Sequence, residues 1–149
     1  MASHVAIGVP TEVLIAPEDF SRAFTARSVA EALWRGLAAS GQPARVSPDV
    51  DGGGQAPPVP EIRAARAVIT GMGCLDRHGL TGTLLSEVAT SARQSGVPCH
   101  AVVGSNRLDL FELRILDLQF VLEASTLAAI EAAGAAIGVA IRSDTARGA

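Results

Sequence analysis

The stretch from Ala65 to Thr83 (Ala-Arg-Ala-Val-Ile-Thr-Gly-Met-Gly-Cys-Leu-Asp-Arg-His-Gly-Leu-Thr-Gly-Thr) constrains the fold more than any other part of the chain. It opens on a short apolar run, Ala67-Val68-Ile69, with β-branched residues at its centre. It breaks at Gly71 and Gly73 and enters a helical pattern near Thr83. Strand, glycine loop and helix in that order form the unit that sets backbone N–H groups at the mouth of a parallel sheet.

The flanking sequence alternates in the same way. Glu12–Ala16, with Val-Leu-Ile at its centre, reads as a buried parallel strand stopped by Pro17. A helix is expected from about Ala26 to Ser40, with Val29, Leu33, Gly36 and Leu37 on one face. Ser28 and Glu31 have capping-box spacing, and Thr25 is an equally good N-cap. Ala44–Val46 reads as a short strand at or near an edge. Gln55–Pro60, rich in proline, reads as an exposed linker without helix or central strand. The connection through residue 62 joins two halves of one domain spanning residues 1–149. Further elements are a helix from Thr83 to Ser95, a strand Cys99–Val103, a short helix Leu108–Leu116 with Phe111 and Ile115 inward, and a strand Leu118–Leu122. The last helix covers Thr126–Ile141, and Arg142–Ala149 reads as a frayed tail. Met1–Pro10 is either an added edge strand or a tail. The sum is an α/β domain, three-layered α/β/α, with a mainly parallel five-stranded sheet and a default strand order of 2-1-3-4-5.

Composition narrows the partners. A chain of 149 residues with 48% hydrophobic residues can bury a sizeable core. A net charge of −3 provides no drive toward nucleic acid or an acidic membrane. Cys74 and Cys99 have neither disulfide-framework nor metal-ligand spacing, which suits a cytoplasmic protein, and no metal set is visible. All 12 basic residues are arginine. Many phosphate-handling sites place a lysine on the transferred group, so its absence bears on any such chemistry.

At the mouth of the expected sheet, Gly71, Gly73, Gly82 and Thr83 would form an anion-binding nest at a helix start, the alternative being a tight turn of positive φ. Asp76 is either a functional carboxylate or a cap for nearby backbone N–H groups. Arg22 and Arg77 are the nearby cations. Cys74 and His78 are better explained as small loop and surface residues than as a nucleophile and its base, and Trp34 as packing.

Several of these segments resemble bacterial glycerate kinases. Thr70-Gly71-Met72-Gly73-Cys74-Leu75-Asp76 is similar to that family's Thr-Gly-Glu-Gly-Arg-Leu-Asp loop, followed by matching Leu80 and Gly82. Val13-Leu14-Ile15-Ala16-Pro17 with Phe20 resembles its opening strand and Ala-Pro-Asp-Ser-Phe-Lys loop, and Ser28–Leu37 resembles the helix that follows. Asp51-Gly52-Gly53 resembles part of its Ala-Asp-Gly-Gly-Glu-Gly motif, and Val102-Val103-Gly104-Ser105 its Ala-Gly-Ser strand end. Members of the family are far longer and hold substrate between two domains. The resemblance therefore implies a reduced copy in which residues 55–62 replace the second domain.

What the resemblance implies for chemistry is divided. The family activity is ATP-dependent phosphorylation of glycerate, and the matched carboxylates Asp51 and Asp76 are the candidate catalytic residues. Gly71, Gly73, Gly82, Thr83, Ser105 and Arg22 are the candidate ligand-binding residues, for a small anionic ligand. Charged family positions have become Ser21, Gly54, Met72, Cys74 and Thr83. The expectation is a degenerate, non-catalytic binding or interaction module that forms a homo-oligomer, with no cofactor assigned. The alternative is an active kinase, completed by another chain, using ATP and Mg²⁺; a third reading is an unrelated small-molecule enzyme.

Overall fold

The computed structural model describes residues 9–51 and 55–148, with side chains through Asp144. The expectation for residues 1–8, and the glycines at 52–54, lie outside the described residues. The element order is β1 (Val13–Ile15), α1 (Ala26–Ala39), β2 (Ala44–Val46), α2 (Val59–Arg63), β3 (Ala67–Leu75), α3 (Leu84–Ser95), β4 (Cys99–Asn106), α4 (Leu110–Leu116), β5 (Val121–Glu123) and α5 (Leu127–Gly148). The five strands form one sheet in the order β2-β1-β3-β4-β5, every pair parallel.

Alternation along each central strand builds two cores. Val13, Ile15, Ala67, Ile69 and Val102 point to one face, where α1 and α5 cover them. Leu14, Val68, Ala101 and Val103 point to the other, covered by α2, α3 and α4. Both faces of β1, β3 and β4 are thus dry, which is why those strands are runs of apolar residues rather than alternating ones. Helices α1 and α5 touch backbone to backbone. A side chain at Gly36 would overlap the Glu131 carbonyl, and one at Gly134 would crowd the Leu33 carbonyl. Thr25, rather than Ser28 with Glu31, caps α1: its side chain accepts from the Ser28 N–H.

Several expected boundaries change. The proline-rich linker is not an extended strap, because Val59–Arg63 is helical with Pro60 in the first turn. Proline is tolerated there, since a first-turn N–H has no intrahelical partner to lose. This short helix buries Ile62 in the second core, and Pro57 is buried too. Strand β5 begins at Val121 rather than Leu118. Phe111 and Ile115 face outward, 74% and 50% exposed, while Leu116 is buried. The expected tail is helical, because α5 continues to Gly148. Trp34 stands 45% exposed beside the edge strand, its indole Nε1 donating to the Ala44 carbonyl at 3.1 Å. Among the described residues, no helix is long and apolar enough to cross a membrane.

Candidate functional site

The carboxyl ends of the strands gather the segments that the sequence singled out. Gly71 and Gly73 are not in a loop: both lie inside β3, with Gly71 paired to Val102 and Cys74 paired to Ser105 of β4. Neither adopts positive φ. Their lack of a side chain serves a close approach instead. The loop after β1 runs across the end of β3, with Glu18 N–H donating to the Gly71 carbonyl at 2.9 Å. A Cβ at Gly73 would collide with the Phe20 carbonyl, and one at Gly71 with the Val102 carbonyl and the Phe20 ring. Gly71 and Gly73, expected in an anion nest, lie at a seam that admits the β1 loop. Gly82 does carry positive φ, +73°, at the turn into α3.

The start of α3 is already served by the chain itself. Thr83 is the N-cap, its Oγ1 accepting from Ser86 N–H at 3.1 Å, while Ser86 Oγ accepts from Thr83 N–H at 3.0 Å. The next amide, Leu85 N–H, donates to Glu18 Oε2 at 3.2 Å. A carboxylate thus occupies the position where the helix dipole would hold a ligand anion. Burial pushes the Glu18 carboxyl up from its ordinary value, the Leu85 N–H opposes this, and neighbouring Asp19 adds to the rise.

Several other acidic groups of the mouth also have partners within the chain. Asp19 Oδ1 accepts from Ala26 N–H at 2.6 Å, at the start of α1. Asp76 Oδ1 accepts from His78 N–H at 3.0 Å and caps the 3-10 turn Arg77–Leu80. Glu123 Oε2 accepts from Asn106 N–H at 2.7 Å, and Asp109 caps α4. Asp51 is bound by Arg27, whose Nε lies 3.3 and 3.2 Å from its two oxygens and whose Nη2 lies 2.6 Å from Oδ2. That hydrogen bond holds the Asp51 carboxyl below its ordinary value.

Asp51 and Asp76 each have their own partner, Arg27 and the His78 N–H. They follow β2 and β3, which stand on either side of β1, about 10 Å apart at strand spacing. Arg22 is exposed, and Arg77 pairs with Glu112 at 2.8 Å. Cys74 is exposed, and burial pushes Cys99 up to about 12. Among the described residues no group of three or more His, Cys, Asp or Glu side chains could hold a metal. Residues arranged in this way cap helix ends, and the Glu18 carboxylate at the start of α3 does not fit a phosphate held at that same amide. Glu18 had no local signal marking it as a cap, because its partner is 67 residues away.

Comparison with known proteins agrees with the early resemblance. The model of the glycerate kinase family matches residues 59–141. No curated protein sequence matches significantly. Among solved structures, a diflavin flavoprotein A3 from Nostoc sp. superposes with a TM-score of 0.59 at 15% identity, covering 95% of this chain and 100% of that one. A flavodoxin from the domain Archaea gives 0.52 at 14% identity, covering 88% and 99%. These likenesses establish the shared fold.

Proposed function

The chain belongs to the glycerate kinase family, and we propose that it is a member without phosphoryl transfer, retained as a non-catalytic binding or interaction module. One observation carries this reading: the Glu18 carboxylate sits on the Leu85 N–H at the start of α3. Phosphoryl transfer relies on positioned cations and carboxylates that stabilise charge on the transferred group. Here Glu18, Asp19 and Asp76 hold backbone N–H groups at helix or turn starts and Asp51 is held by Arg27, and the family's lysine, glutamate and arginine positions are Ser21, Gly54, Met72, Cys74 and Thr83. Arg22 does not replace a lysine one position earlier, since a misplacement of about 1 Å can cost roughly a hundredfold in rate.

The alternative, a kinase completed by a second chain, draws support from the family match and from the exposed Arg22 beside the mouth. Purified protein with ATP, Mg²⁺ and glycerate, alone and with any co-purifying partner, separates the two. We expect no turnover above background. Turnover of about 1–100 s⁻¹, the ordinary kinase range, abolished by Asp76→Ala, would replace the module reading with the kinase one.

A further inference from the structure

We propose that the cavity at the amino-terminal edge of the sheet, lined by Arg66 and His100 beside an apolar wall, binds a small monocarboxylic acid with an apolar body. It lies at the opposite end of the strands from the mouth described above, so it stands or falls independently of the proposed function. The cavity holds about 650 Å³, the size of a small-molecule site. Val9, Pro10, Pro98 and Ile141 supply apolar wall.

Arg66 and His100 come from neighbouring strands: Arg66 immediately precedes β3, and His100 is the second residue of β4. The Arg66 guanidinium donates to Gln42 Oε1 at 3.0 Å and to the Ile141 carbonyl at 3.2 Å, both neutral acceptors. Among the described residues no carboxylate forms an ion pair with it. A guanidinium has five donors in a planar fork, so donors and an uncompensated positive charge remain for an incoming carboxylate. Asp144 lines the same cavity, and the apolar wall favours an acid with an apolar body over inorganic phosphate.

His100 supplies the second observation. Its residue is 1% exposed and its ring stacks on Phe120 with centroids 4.9 Å apart. Its buried Nδ1 has no hydrogen-bond partner among the described residues. Buried polar atoms are nearly always paired, so an unpaired one on a residue that lines the cavity calls for a partner, which the proposed ligand supplies. Burial lowers the imidazole pKa to about 4, with Asp144 opposing, so the ring is neutral at physiological pH. With the proton on Nδ1 it donates to a ligand oxygen.

Sodium hexanoate and sodium benzoate are the probes, titrated into the full chain and followed by calorimetry and by the His100 imidazole NMR signals, with 1-hexanol and inorganic phosphate as comparisons. The expected result is saturable binding of at least one carboxylate that shifts the His100 signals. Arg66→Gln should weaken it at least tenfold, and His100→Phe, which keeps the ring and its stacking, should weaken it without loss of the folded spectrum. Absence of carboxylate binding overturns the proposal. So does 1-hexanol binding as tightly as hexanoate, phosphate binding better than either acid, or unchanged affinity in folded His100→Phe.

Discussion

Glu18 Oε2 accepts a hydrogen bond from Leu85 N–H at 3.2 Å, which ties the loop after β1 to the first turn of α3. The contact substitutes an internal carboxylate for a ligand anion, so removing it should create the site that the native chain fills. In Glu18→Ala, phosphate at millimolar concentration should shift the Leu85 amide in an NMR titration, and the variant should lose about 1 kcal/mol of stability. The native protein should show no such shift at Leu85, Gly71 or Gly73. Equal phosphate shifts in both proteins would refute the substitution.

The same group sets a pH slope. Its folded pKa is raised above the ordinary 4.5, chiefly by burial. A raised carboxyl contributes stability below its unfolded pKa and loses it as pH rises through the folded value. The stability of the native protein relative to Glu18→Gln should therefore fall as pH climbs from about 4.5. Denaturant midpoints measured across that window give the answer, and a flat difference would contradict it.

His100 should produce the opposite slope. Burial brings its pKa down to about 4 in the folded state. The unfolded chain then takes up a proton first as pH falls, and stability is lost between about 6.5 and 4, by roughly 3 kcal/mol over the whole window. The difference between native protein and His100→Phe in thermal unfolding should narrow or reverse in favour of the variant as the pH drops.

Two glycines should respond differently to alanine. At Gly73 the new Cβ meets the backbone carbonyl of Phe20, which has no flexible end to swing away, and a loss of about 1–3 kcal/mol is expected. At Gly82 nothing lies within 4 Å, and only the positive φ of +73° is strained, at about 1 kcal/mol. Chemical denaturation that ranks Gly82→Ala as the more damaging would count against the seam.

The outer face of α4 should mediate self-association. Leu110 and Phe111 are 76% and 74% exposed, with Ile115 beside them at 50%. Leu116, on the opposite side of the helix, belongs to the core. Sedimentation equilibrium should detect a dimer at micromolar concentration that Phe111→Glu converts to monomer. A native monomer throughout that range would remove the idea.

The sequence by itself determined the architecture. Runs such as Val13-Leu14-Ile15 and Val102-Val103 are apolar on consecutive positions, which only a sheet covered on both faces can bury, and helical patterns between them leave little besides a parallel α/β sheet. Local chemistry was legible where its partners are near in the chain, as at the Thr25 cap and in one of the two readings of Asp76. The tertiary structure decided the contacts that span the chain. Gly71 and Gly73 look identical in sequence whether they cradle an anion or admit a neighbouring loop, and the choice rests on where Phe20 lies. Whether α3 offers its N–H groups to a ligand depends on Glu18, and whether Phe111 or Leu116 is buried depends on the direction in which a seven-residue helix is turned. Each of these is a contact between residues far apart in the chain or a rotation set by packing, and neither leaves a periodic trace that a linear reading can detect.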